Sequence, residues 1–420
     1  MTLNKNNNIL NKNNIIIIFF LFIIINYAFF NYRILFRENS FILGDWLINY
    51  SGGFVKRGLI GHFFYLISKS FNISIIHIIF FFSIFIYIFY LYFFYQIIKD
   101  KLDNNLIIIF LFLPTTFLFN FFDPLTVGRK EILVFFFFSF YYLYIDKIKE
   151  NINFKILTFF LSIIIMLTHE LIFFFIPYMF AIKYFHIKKN FEKFNIKDYY
   201  LEILIFISTL ILVIIIINFS HMHDNNTLCN SVLDVGISTD VCNGTIKEFG
   251  VKIGVGFLVL LPYFLERNYF INYSLYFLLS LLPLALIIFS SSNKNQNKLI
   301  LIFLSIFCLL FSLTFFNIVN DWGRYFNIIF ILQFLIILKF IEKNKDQKEI
   351  KFYINKYILL ILVFFYLTSW HMPHCCNPSI GKGYSDIYVR IKKRILDNSN
   401  ESTKYKDLPR EYLRKFFNID

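Results

Sequence analysis

Nine long runs of Ile, Phe, Leu and Tyr, almost free of charge, dominate the chain: 15–36, 71–98, 106–122, 131–145, 200–219, 269–290, 299–319, 325–341 and 357–370. A helix needs roughly 20 apolar residues to cross a bilayer. Lipid offers the backbone no hydrogen-bonding partner, so only helices and closed barrels span it. The runs lack the period-2 alternation of a barrel strand, which leaves helices. Hydrophobic residues are 58% of the chain and the mean hydropathy is +0.63. Soluble domains hold about 45–50% apolar residues, so a water-soluble fold is excluded. The expected fold is all-α: a polytopic transmembrane helix bundle.

A net charge of +14 would suggest nucleic acid in a soluble protein. Here the lysines sit in loops between apolar runs, as the positive-inside rule describes, so no nucleic-acid partner is expected. The first run is too long for a signal-peptide core and lacks a small-residue cleavage site, so it reads as an uncleaved span. Lys5 and Lys12 place the N-terminus in the cytoplasm, and Lys99, Lys101, Lys147 and Lys149 fall on the same side. The expected location is the inner (cytoplasmic) membrane of a cell envelope. Residues 33–69 and 123–131 are then outside.

Two regions are harder to count, 154–185 and 251–265. Lysines flank the first on the inner side, so it must leave and return. Each half has about 15 residues, about 22 Å of helix against a core of about 30 Å, which predicts a short hairpin tipped by Thr168-His169-Glu170. The second reads as a short outer-leaflet element, or else as an eleventh span. The total is about 10–11 spans. Residues 1–370 form the membrane domain, and 371–420 form a basic tail in which Arg390, Lys392, Lys393 and Arg394 interleave with Ile391 and Ile395 as in a surface-lying amphipathic helix.

With this topology the inner loops are almost purely Lys, whereas Arg33, Arg37, Arg57, Arg129 and Arg324 lie at the outer face. Arginine carries a planar fork suited to phosphate and carboxylate. The first outer segment, 44–61, holds Asp45, Trp46, Gly52, Gly53, Lys56 and Arg57, with five of the chain's 14 glycines. Its glycines suit close approach to a ligand whose phosphates meet Lys56 and Arg57, or else a tight interfacial turn. The second runs Asp123-Pro124-Leu125-Thr126-Val127-Gly128-Arg129-Lys130-Glu131. Two cations before a helix call for an anion there, although Glu131 alone suits the helix dipole. His169-Glu170 is an ionisable pair within apolar sequence, either a base with its orienting partner or a self-satisfied lock. The fourth is Asp321-Trp322-Gly323-Arg324, in which Trp322, like Trp46, reads as an interfacial anchor.

Cys229 and Cys242 share a lysine-poor outer loop and are expected to form a disulfide. His371, His374, Cys375 and Cys376 cluster after the last run, but their spacing matches no standard metal site, so neither a metal nor any cofactor is expected.

The stretches Gly52-Gly53-Phe54-Val55-Lys56-Arg57-Gly58-Leu59 and Gly128-Arg129-Lys130-Glu131, with the early outer-loop Asp45, resemble bacterial polytopic envelope-polysaccharide proteins, the O-antigen-polymerase-like and GT-C-like membrane glycosyltransferase group. The resemblance covers most of the chain in hydropathy and short stretches in residues. The large soluble outer domain of many GT-C enzymes is absent. The resemblance implies glycosyl transfer or polymerisation from a polyprenyl-phosphate-linked glycan, among membrane lipids, at the outer face. Asp45, His169 and Glu170 would be the catalytic candidates. Lys56, Arg57, Arg129, Lys130 and Arg324 would hold phosphate, with Gly52, Gly53, Asp123, Glu131 and Asp321 in support. An envelope-glycan O-acyltransferase using His169 as base, and a non-enzymatic transporter or flippase of lipid-linked glycans, are the alternatives.

Overall fold

The computed structural model describes residues 2–102, 105–187, 195–220, 224–248, 261–262, 264–266, 268–290, 295–317, 319, 321–343 and 356–375. Among these residues every regular element is helical. The principal helices are α1 (Thr2–Leu35), α2 (Ile42–Leu47), α3 (Gly58–Phe71), α4 (Ile75–Ile98), α5 (Asn105–Leu111), α6 (Phe119–Phe122), α7 (Ile132–Leu143), α8 (Ile145–Glu150), α9 (Ile152–Thr168), α10 (Ile176–Ile187), α11 (Tyr200–Phe219), α12 (Asn225–Leu233), α13 (Thr245–Glu248), α14 (Tyr269–Ser290), α15 (Asn295–Leu313), α16 (Trp322–Lys343) and α17 (Lys356–Thr368).

Six helical stretches are long and apolar enough to cross a bilayer: Lys12–Leu35, Ile75–Lys101, Glu170–Ile187, Ile196–Phe219, Tyr269–Leu286 and Trp322–Glu342. Three shorter apolar helices accompany them, at Ile132–Leu143, Ile152–Thr168 and Asn297–Leu313. The chain is an integral multi-pass membrane protein. Its run at 106–122 is broken into α5 and α6 by a turn around Pro114, which lacks the N–H a continuous helix needs. Thr116 Oγ1 then donates to the Phe110 carbonyl at 2.8 Å, satisfying a backbone group left bare at the end of α5.

The His-Glu region differs from a short paired hairpin. It breaks at His169, whose backbone is extended (φ −155°, ψ 93°), and resumes through a 3-10 turn at Glu170–Phe175. The arms splay: α9 packs on α3 and α11, whereas α10 packs on α15 and α16. Their 17 and 18 residues correspond to about 26 Å each, closer to full spans than the half-lengths expected.

α16 is the hub, buried nearly throughout against α7, α10, α14 and α15. Between helices in lipid, close packing replaces the hydrophobic drive, and here the interlocking side chains are aromatic. Phe110 stacks on Phe334 with ring centroids 3.9 Å apart, and Phe94 meets Phe117 edge-on at 4.7 Å.

The two ends of the bundle carry different charges. At one end Lys12 Nζ donates to the Leu102 carbonyl, Lys101 and Lys339 pair with Glu342, and Lys183 pairs with Glu202. Arg324 lies 18 residues before Glu342 on α16, about 27 Å away. Around it gather the segments at 38–57, 123–131, 169–170, 224–248 and 371–375. Thr245 bonds the Phe41 carbonyl there, and Phe264 packs on Trp322. Both flanks of residues 249–260 therefore lie at the arginine end, and the short element or eleventh span expected at 251–265 lies mostly outside the described residues. The amphipathic tail expected within 371–420 lies outside the described residues from 376 onward.

Candidate functional site

α2 is a six-residue helix buried on all sides. Trp46 is fully buried, not placed among headgroups, and its indole donates to the Gly128 carbonyl at 2.5 Å. Gly128 has φ +75°, and a Cβ there would collide with Asn31 Oδ1, so this contact requires glycine. α2 thereby presents Asp45 to the loop before α7. Trp322 is likewise buried, ringed by Phe264, Tyr269, Phe270 and Phe316.

The chain enters α3 through Arg57, which adopts a left-handed conformation (φ 63°, ψ 10°). That geometry is unfavourable for a residue with a Cβ and marks a position held by its surroundings. The holding groups are visible. Arg57 Nε and Nη2 grip Glu170 as a fork, at 2.7 and 2.9 Å, and Nη1 reaches Asp45 Oδ1 at 3.4 Å. The Arg57 carbonyl accepts from Lys130 Nζ at 2.9 Å.

A second set adjoins the first. Arg324 Nη1 donates to Glu131 Oε1 at 2.6 Å, and Nη2 contacts Asp321. His169 Nε2 stands 3.7 Å from the same Glu131 oxygen. Asp123 accepts from the backbone N–H and ring Nδ1 of His374, at 2.9 and 2.6 Å, and the His374 carbonyl accepts from Gly323. Asp321, His374 and Cys375 lie with their polar atoms within 4.8 Å of one another, but Asp321 is engaged by Arg324, His374 by Asp123, and the Cys375 sulfur is in a disulfide.

Electrostatics keep the carboxylates ionised. Burial works to raise Asp45, but Lys130 and Arg57 outweigh it and hold the carboxyl below its ordinary range. Glu131 is likewise pushed up by burial and pulled further down by Arg324, and Asp321 follows the same balance. Burial lowers the Lys130 ammonium to about 8 against the attraction of Asp45. Burial also lowers Lys56, with Glu170 opposing.

The charged residues of the segments at 44–61, 123–131, 169–170 and 321–324 thus meet at one end of the bundle, but in unequal roles. Arg57 and Arg324 spend their forks on carboxylates of the protein, and Lys130 is turned into the wall, 5.7 Å from the Trp46 ring. Gly52 packs against the loop at 224–248: its carbonyl accepts from Asp224 N–H at 2.8 Å, and a Cβ there would collide with the Asp224 carbonyl. Arg129 differs from the other two arginines. It forms no ion pair among the described residues, and its donors reach the Leu125 and Phe41 carbonyls at 3.5 and 3.4 Å.

Beside Arg129 opens a recess lined also by Tyr27, Asn120, Thr126, Glu131, Arg324 and Asn327, with Phe119, Ile132 and Phe135 on its apolar side. Tyr27, Asn120 and Asn327 were not flagged by the sequence, although an amide inside an apolar run was a usable signal. Over the site folds the loop at 224–248, clamped by the Cys229–Cys242 disulfide with Cα atoms 5.7 Å apart.

No family model, curated protein or solved structure matches this chain.

Proposed function

We propose that this protein is a membrane-embedded glycosyl-transferring enzyme that uses a polyprenyl-phosphate-linked sugar at the outer face of the membrane. One observation carries the reading: segments separated by more than 250 residues place an ionised, buried Asp45 beside paired and unpaired guanidinium groups at one end of a transmembrane bundle. Isolated charges in that setting are expensive and are by default functional. Transfer needs a base for the acceptor hydroxyl and cations for a departing phosphate. In the step proposed, the acceptor oxygen attacks the anomeric carbon, the bond from that carbon to the phosphate oxygen breaks, and the hydroxyl proton passes to Asp45. The phosphate leaves as an anion beside the arginines.

Asp45 suits the base role better than Glu170, whose two oxygens are both occupied by Arg57. His169 is 1% exposed, with Nε2 directed at Glu131, which weighs against acyl transfer through a histidine base. The candidate site residues gather at one end of the bundle, whereas transporter sites typically lie near the midplane between repeats, which weighs against a flippase. The test is the glycan size profile of cells lacking the protein and complemented with wild type or Asp45→Asn. The reading expects wild type to restore a missing glycan and Asp45→Asn to fail while inserting at normal levels. Full restoration by Asp45→Asn would overturn it.

A further inference from the structure

The arginines of the site fall into two classes, and the difference assigns a ligand position. Arg57 is saturated by Glu170 and Asp45. Arg324 has two of its nitrogens on Glu131 and Asp321, but its buried Nε has no partner. Arg129 has weak carbonyl contacts and no carboxylate. Arg129 and Arg324 line the same recess, with the carboxylates of Glu131 and Asp321 already committed to Arg324. Two like charges in a low-dielectric wall repel strongly, and a buried N–H without an acceptor costs free energy of its own. A bound anion relieves both penalties together, and a phosphoryl oxygen suits the planar donor edge of a guanidinium.

We propose that the recess between α6, α7 and α16 is a phosphoryl-binding site in which Arg129 and the Nε edge of Arg324 hold the anion, while Arg57 is a positioning residue that fixes Glu170 and Asp45. Asn120, Thr126 and Asn327 also line the space, the Asn327 amide donating to the Thr115 and Thr116 carbonyls and the Thr126 hydroxyl to Asn120 Oδ1. Glu131 also lines the space, and its carboxylate repels an anion placed against it. The assignment deepens the glycosyl-transfer reading, but the anion site does not depend on that reading being right.

The test uses the purified full chain in nanodiscs, with inorganic pyrophosphate as probe and binding read by calorimetry. Wild type should bind pyrophosphate, Arg129→Gln should weaken it about tenfold or more, and Arg129→Lys should weaken it less, because charge remains without the fork. Arg33→Gln, an arginine at the same end of the bundle that does not line the recess, should bind as wild type does. If Arg129→Gln misfolds, the Lys variant still decides, since unchanged affinity there and in any folded Gln variant overturns the site. Absence of binding to wild type overturns it as well. A polyprenyl phosphate in the nanodisc that competes with pyrophosphate identifies a lipid headgroup as the source. Pyrophosphate binding without that competition keeps the site, identifies a free phosphate compound instead, and counts against the donor reading alone.

Discussion

Arg57 shows how one residue can be fixed from three sides: a left-handed backbone, a fork closed on Glu170, and a carbonyl taken by Lys130. Arg57 and Glu170 are each 15% exposed, so removing one member of the pair leaves a partly screened, uncompensated charge and costs less than the roughly 3–5 kcal/mol of a fully buried pair. Glu170→Gln should therefore lower the unfolding temperature in detergent markedly, and an unchanged transition would show that the fork contributes little. Lys130 adds a pH dependence. Its folded value of about 8 lies below its ordinary 10.5, so between those values the unfolded chain binds more protons and stability rises with pH. The rise in unfolding temperature from pH 8 to pH 10 should be flatter in Lys130→Met than in wild type. Asp45 and Asp321, held low, contribute stability that is present above their ordinary range and lost in acid. The charged residues themselves were legible in the sequence, because arginine and carboxylate stand out among apolar runs. Their pairing was not legible: nothing in the spacing of Arg57 and Glu170, 113 residues apart, says that one saturates the other.

At the scale of elements, the loop at 224–248 acts as a strap over the Asp45 segment. Asn49 Nδ2 donates to Ser231 Oγ at 2.9 Å, Thr245 Oγ1 to the Phe41 carbonyl at 2.7 Å, and the Ser238 N–H to Glu38 at 2.9 Å. The disulfide closes a loop with a sequence separation of 13, for which chain entropy gives about 3 kcal/mol. Alkylation without reduction should leave Cys229 and Cys242 unlabelled. Replacing both by Ser should speed hydrogen exchange in α12 and α13 without affecting α16, and equal acceleration throughout would show that the strap is not a separate unit. The long spans α1, α4, α11 and α14 were readable because about 20 apolar residues have one outcome in lipid. α2 and α3 were hidden in a segment that reads as a glycine-rich loop, since α3 alternates apolar and polar residues too briefly to resemble a span. The break at 106–122 and the splay of the His169 arms depend on what each arm packs against, which hydropathy does not encode.

For the whole molecule, the arginines gather at one end of the bundle while Lys12, Lys101, Lys183 and Lys339 lie at the other, a pattern that predicts an orientation. By the positive-inside rule the lysine end is expected to be cytoplasmic. A reporter fused after Lys189 should read inside and one after Asn230 outside, and both on one side would break that orientation. The central proposal is that a lipid-linked donor is cleaved at the arginine end, with Asp45 taking the acceptor's proton. The most direct measurement is release of free polyprenyl phosphate from a panel of polyprenyl-phosphate sugars by the purified protein in nanodiscs, with acceptor glycan supplied. Loss of a general base typically costs about 10²–10⁴ in rate. The account predicts turnover of at least one donor by wild type and a rate about a hundredfold or more lower for Asp45→Asn. Turnover by Asp45→Asn at the wild-type rate, or no release from any donor by a folded wild type that binds pyrophosphate, would contradict it.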